Sequence, residues 1–166
     1  FAVQQVVSIF VCPSDKGQPV SVAYGEPVIG PTNYAACLGS GTTNGGAPFG
    51  SPLNADGMFM GVKTLRFNDV SDGLSNTACF SESILGDFAE KVTGAAPGPP
   101  DTVYAYLGFS GTAINDSNCA GASTWNGNNR RGFMWASGEI RCVSYNHYLT
   151  PNSKKYDCIN NDPATG

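Results

Sequence analysis

Hydrophobic positions along this chain come in short runs, separated by longer stretches of Gly, Ser, Thr, Asn and Pro. Phe1 to Val11 is rich in β-branched and aromatic residues and predicts a strand from about Val6, the competing reading being the end of a preceding helix. Cys12-Pro13-Ser14-Asp15 stops it, because Pro13 cannot donate to a ladder and Ser14 and Asp15 favour a turn. Asn33 to Gly39 is a second apolar run, followed by a Gly-, Thr- and Asn-rich surface loop from Ser40 to Pro52. Asp56-Gly57 precedes a short strand predicted over Met58 to Val62. Gly86 to Pro100 reads as a loop with room for one helical turn, and Val103 to Phe109 as a strand with aromatics spaced by two.

The densest turn chemistry lies at Phe67 to Glu82 (Phe-Asn-Asp-Val-Ser-Asp-Gly-Leu-Ser-Asn-Thr-Ala-Cys-Phe-Ser-Glu), directly before an apolar segment. Asp72-Gly73 suits a tight turn, with Gly free to take positive φ and Asp able to bond its own backbone. Asp69, Ser75, Asn76 and Thr77 complete a structural corner by satisfying backbone groups locally.

Composition sharpens this picture. With 21 glycines and 11 prolines among 166 residues, and only 13% charged residues, loops should dominate; 41% apolar residues are too many for a disordered chain. The fold class expected is α+β, mainly β, in one domain over residues 1–166 with long Gly- and Pro-rich loops. The net charge of -4 excludes a nucleic-acid partner, since Lys and Arg pair only at Arg130-Arg131 and Lys154-Lys155 and phosphate backbones require a coherent basic face. The six cysteines, Cys12, Cys37, Cys79, Cys119, Cys142 and Cys158, have no Cys-x-x-Cys spacing and only one histidine in the chain to join them. They are expected to form three disulfides, which places the protein in an oxidising, extracytoplasmic compartment: periplasm, cell surface or medium. No apolar run of about 18 residues is present, and the expectation is a mature or trimmed product.

Candidate chemistry is sparse. Ser75, Ser81 and Ser144 with His147 permit a serine–histidine pair on paper, but no Gly-x-Ser-x-Gly elbow accompanies them, and no catalytic residue is assigned. His147, in an aromatic run, reads as a structural histidine bonded to backbone. Asp69, Asp72 and Glu82 are weak calcium candidates: Asp-x-x-Asp-Gly has the flavour of an oxygen-rich loop without EF-hand spacing, so turn and cap roles are preferred and no cofactor is expected. Asn115-Asp116-Ser117 matches a glycosylation sequon, and no glycan is assigned to it. Trp125, Asn126, Asn128 and Arg130 set an indole beside amides and a guanidinium, a mix that suits a flat sugar platform; the plainer reading buries Trp125 in the core.

Cys-Pro-Ser-Asp at 12–15, Asn-Tyr-Ala-Ala-Cys at 33–37, Asp-Gly-Met-Phe at 56–59 and Asp-Val-Ser-Asp-Gly-Leu-Ser-Asn-Thr-Ala at 69–78 carry a resemblance. Phe80-Ser81-Glu82, Gly132 to Gly138 and Tyr145 to Ser153 extend it over most of the chain. In this order the motifs resemble the secreted pilin-like proteins known as domain of unknown function 1559, abundant in planctomycete-type bacteria. The resemblance implies a prepilin-type leader with a long apolar helix before this segment and a histidine followed about nine residues later by Asp-Gly after it, so the segment is expected to be a β-rich head trimmed at both ends. It also places Cys12, Cys37, Cys119 and Cys158 at recurrent positions and leaves Cys79 and Cys142 as an added pair. The pairing expected among the fifteen connectivities is Cys12–Cys37, Cys119–Cys158 and Cys79–Cys142.

The expected function is a non-catalytic structural subunit, pilin- or pseudopilin-like, of a type IV pilus, type II secretion or related cell-surface assembly. Its partners would be further copies of itself or other pilin-like subunits, with membrane contact only through the N-terminal helix that the resemblance implies. The alternative is a cell-surface carbohydrate-binding module with polysaccharide as partner.

Overall fold

Tyr34–Cys37 forms β1, the centre of a three-stranded sheet, its start held where Asn33 O accepts the Ser83 N–H. Phe80–Glu82 (β2) pairs antiparallel on one side, matching Tyr34 with Glu82 and Ala36 with Phe80. On the other side lies a parallel strand, Ser144–Tyr145, with Cys37 matched to Tyr145. The computed structural model describes residues 2–15, 28–41, 55–59, 64–87, 91–108, 114–127 and 130–160.

A second sheet holds four strands. In chain order they are Val92–Thr93 (β3), Ala105–Tyr106 (β4), Thr124–Trp125 (β5) and, after Ser144–Tyr145 (β6) of the first sheet, Cys158–Ile159 (β7). Their spatial order is β3-β5-β4-β7, antiparallel except for the parallel β4–β7 pair. Helices are brief: Asp116–Ala120 (α1) and Ile140–Val143 (α2). The outcome is a β-rich α+β architecture with mixed sheets, in strands of two to four residues where globular strands average about five or six. Such short ladders leave many backbone groups to loop partners, and side chains take up much of that role.

Among the described residues the buried apolar side chains gather in two small clusters. Ile29, Phe133 and Cys142 form the first, with Met134 and Val143 packed against them. Val103, Ala105 and Trp125 form the second, flanked by Val92, Ala96, Tyr156 and Cys158. The Cys119–Cys158 disulfide, Cα atoms 5.8 Å apart, ties α1 to β7 and closes a loop whose constraint contributes about 4 kcal/mol on the chain-entropy estimate.

Several expected elements differ. Instead of a strand from Val6, residues Ala2–Gln4 and Ser8–Phe10 are 3-10 turns. Their amides bond locally, Gln5 N–H to Ala2 O and Phe10 N–H to Val7 O, and the segment is held to the body by Gly30 N–H on Val3 O (2.8 Å) and Asn33 N–H on Phe10 O (2.8 Å). β-Branched composition favoured a strand, but no strand among the described residues pairs with this segment. Cys12 to Asp15 is the expected turn, closed by Asp15 N–H to Cys12 O. Met58 lies in a bend with Gly57, and Phe59 in irregular backbone, rather than in a strand, and residues 60–62 fall outside the described set, as does the loop from 42 to 52. The Gly86 to Pro100 loop contains β3, and the strand expected from Val103 narrows to β4.

Candidate functional site

The corner at Phe67 to Glu82 is built from two 3-10 turns, Phe67–Asp69 and Leu74–Asn76. The Asp69 carboxylate accepts the Arg66 N–H at 2.8 Å, so the first turn starts on a side-chain cap. Gly73 sits at φ +83°, where a Cβ would be strained, and its N–H reaches Val70 O at 3.2 Å. Asn76 Nδ2 donates to Asp72 O (3.1 Å) and Thr77 Oγ1 to Gly73 O (3.0 Å). Ser75 lies inside the second turn and is exposed. Asp72 does less than its sequence position suggests: its carboxylate receives the Ser71 hydroxyl at 3.4 Å, while the turn amides bond to backbone carbonyls.

Asp69, Asp72 and Glu82 do not converge. Asp69 is committed to its cap and Glu82 is held in β2 opposite Tyr34. Among the described residues no group of three or more His, Cys, Asp or Glu side chains is arranged to hold a metal ion.

The corner instead presents apolar side chains. Phe67 is 75% exposed and Phe80 64%, with Leu74 and Phe59 also exposed. Phe80 meets Phe59 at 5.1 Å between ring centroids. Phe59 is placed by its N–H on Cys37 O (3.1 Å), and Gly57 beside it approaches β1 so closely that a Cβ would lie 2.7 Å from that same carbonyl. Asp56 fastens this stretch by accepting the Ser40 hydroxyl (2.6 Å) and Ser40 N–H (2.7 Å). The hydroxyl bond is the main reason its carboxyl is held below the ordinary range.

The sugar-platform reading of Trp125, Asn126, Asn128 and Arg130 is corrected by burial. Trp125 is 6% exposed, its indole N–H donating to Gly94 O (3.0 Å) and its ring 4.7 Å from that of Tyr156. Asn126 is fully buried at φ +61°. Its Nδ2 donates to Asp87 O (2.7 Å), and its Oδ1 accepts the Tyr104 N–H (3.2 Å). Arg130 is half-buried; burial lowers its pKa while the Asp87 charge opposes the change. Asn128 lies outside the described residues. A large aromatic beside amides is a core anchor here, because β5 is an interior strand of its sheet.

Of the cysteines, Cys119 and Cys158 are bonded as expected, while Cys12, Cys37, Cys79 and Cys142 are not joined in disulfides. The pairings Cys12–Cys37 and Cys79–Cys142 are therefore corrected. Cys142 is taken up by the core with Ile29 and Phe133, and Cys37 faces Cys79 across the β1–β2 ladder, where its N–H donates to Cys79 O (2.8 Å). His147 is exposed; its N–H donates to Gly39 O (2.7 Å), and its Nε2 lies 3.3 Å from the Tyr145 hydroxyl rather than from a serine.

A polar node unmarked by sequence lies at Asn33. Its Nδ2 donates to Asp15 Oδ2 (2.6 Å) and Ser83 O (2.9 Å), and its Oδ1 accepts the Cys12 N–H (2.8 Å). Asp15 Oδ2 also accepts the Leu85 N–H (2.8 Å). One buried amide thus ties the N-terminal turn, β1 and the segment after β2. Asn115, read as a chance sequon, is the N-cap of α1, its Oδ1 accepting the Asn118 N–H at 2.8 Å.

No helix among the described residues is long and apolar enough to cross a membrane. Neither a curated protein nor a solved structure matches the chain. A family model described as "Protein of unknown function (DUF1559)" matches residues 2–153, so the chain belongs to the DUF1559 family.

Proposed function

We propose that this chain is the β-rich head of a non-catalytic, extracytoplasmic structural subunit, pilin- or pseudopilin-like, that works by being placed and assembled on the cell surface or in a secretion-related structure. The observation that carries the reading is the apolar face at the corner: Phe67 and Phe80 are largely exposed, and Phe80 is packed on Phe59 rather than standing alone. An exposed, packed aromatic pair with a further exposed phenylalanine on the same corner segment marks surface that a partner covers. The entry of the chain supports it. Val3, Gln5 and Phe10 are clamped to the body by Gly30 N–H, Trp135 Nε1–H (3.0 Å) and Asn33 N–H, leaving Val6 and Ile9 outward. A helix leading into residue 1, as the resemblance implies, would continue into this held segment. The Cys119–Cys158 cross-link and Gly- and Pro-rich loops suit a durable exterior.

The test is light scattering of the full-length mature protein and of residues 1–166 at equal concentration. Large oligomers are expected of the full-length form, with weaker association of the fragment that Phe67→Ser and Phe80→Ser abolish. A monomeric full-length form that binds polysaccharide on a glycan array would overturn the reading.

A further inference from the structure

Cys37 ends β1, and Cys79 immediately precedes β2. The register that matches Tyr34 with Glu82, Ala35 with Ser81 and Ala36 with Phe80 brings Cys37 opposite Cys79 at the next step, and the bond from Cys37 N–H to Cys79 O continues the ladder there. A hydrogen-bonded antiparallel position sets its Cα atoms about 5.5 Å apart with both side chains on one face. That lies inside the range of roughly 4.4–6.8 Å between the Cα atoms of bonded cysteines, and small side-chain and backbone adjustments bring the Cβ atoms to the closer spacing a disulfide needs. On the far side of β1, Tyr145 is the parallel partner of Cys37, and its hydroxyl is hydrogen-bonded to the Cys37 side chain. Cys79, Cys37 and Tyr145 therefore form a row across one face of the sheet. Accessibility is graded along it: Cys37 is 3% exposed, whereas Cys79 is only partly buried.

We propose that Cys37 and Cys79 are a second disulfide-forming site, oxidised by thiol–disulfide exchange with a disulfide-bearing donor. Cys79, the accessible thiol, loses its proton and attacks one donor sulfur; the donor S–S bond breaks, and the departing sulfur takes up a proton. Cys37 then loses its proton and attacks the Cys79 sulfur of the mixed disulfide, releasing the second donor thiol. Two thiols lose two electrons, and one donor disulfide becomes two thiols. Cys12 and Cys142 stand outside this row, Cys142 in the Ile29–Phe133 core and Cys12 beside Asn33. The bond would lock the strand of Phe80 to the carbonyl that holds Phe59, fixing the exposed aromatic pair from both sides.

The nine Lys and Arg residues place each cysteine in its own tryptic peptide, so every pairing has a distinct mass. The protein is treated with oxidised glutathione, unfolded in N-ethylmaleimide to block remaining thiols, and digested without reduction. The expected product joins peptide 17–63 to peptide 67–91, and the oxidised protein melts roughly 5 °C or more above its thiol form. In Cys37→Ser the second step is lost, and Cys79 accumulates a stable glutathione adduct. The inference is overturned if Cys37 and Cys79 both carry N-ethylmaleimide while Cys119–Cys158 is intact, or if peptide 17–63 is joined to 1–16 or peptide 67–91 to 142–154. Mapping of the wild-type protein decides the matter even if the variant does not fold.

Discussion

Tyr104 and Asn126 hold each other by three hydrogen bonds: Asn126 N–H to Tyr104 O (2.9 Å), Tyr104 N–H to Asn126 Oδ1 (3.2 Å), and the Tyr104 hydroxyl to Asn126 O. Both residues are almost fully buried, so each bond is made where water cannot replace it. Asn126→Ala is expected to destabilise by about 2–4 kcal/mol, the sum of unpaired buried groups and an alanine at positive φ. Asn126→Gly should lose about 1 kcal/mol less, because the backbone is at ease there. Urea denaturation of the two variants measures both values. Equal losses would mean that the left-handed conformation costs alanine nothing.

The corner separates a backbone role from a side-chain role. Gly73→Val is expected to cost about 1–3 kcal/mol through strain at positive φ. Asp72→Ala should stay within about 0.5 kcal/mol, since the carboxylate is exposed and the turn amides bond elsewhere. Thermal melts of both variants in calcium and in chelator check this, with no calcium-dependent shift expected in either.

Burial first, then the hydrogen bond to Cys37 and the negative charge that Cys37 and Cys79 can carry, push the Tyr145 phenol up to about 12. Folding raises this group above its ordinary value of 10.0, so the folded state holds the proton more tightly. Its contribution to stability is complete below about pH 10 and is lost as pH rises from about 10 to 12. Ultraviolet titration of tyrosinate should show a late-titrating phenol that Tyr145→Phe removes. Loss of the early part of the titration in that variant would contradict the assignment.

Much of the local turn chemistry was readable from residue types alone. Cys12 to Asp15 and the corner around Gly73 are set by Pro, Asp and Gly, whose preferences act over a few bonds. The Cys119–Cys158 link followed from family positions. What failed depended on distant neighbours. The N-terminal run has strand-forming residues but pairs with no strand among the described residues, and its amides close 3-10 turns. Trp125 and Asn126 have the composition of a sugar platform, yet β5 lies between β3 and β4 and takes both into the interior. Asn33 carries no sequence mark of its hub role, because its partners Asp15 and Ser83 are brought to it only by the fold. One missed signal was local: Asn115-Asp116-Ser117 is a good helix start, an asparagine cap with an acid in the first turn.

Deleting the polar hub tests how far the N-terminal turn depends on it. Asn33→Ala strands the Cys12 N–H and removes one of the donors to the Asp15 carboxylate, and is expected to cost about 2–4 kcal/mol. Hydrogen exchange should then accelerate at Cys12 and Leu85 together, the two amides that share the node. Acceleration at one alone would show that the two ends are held independently.

The proposed function rests on assembly of this head through its apolar corner. Electron microscopy of the full-length mature protein beside the same protein carrying Phe67→Ser and Phe80→Ser tests it most directly. Filaments or large ordered oligomers are predicted for the parent, and dispersed particles of normal thermal stability for the double variant. Assemblies of unchanged form and number in the double variant, or dispersed monomers of the parent, would contradict it.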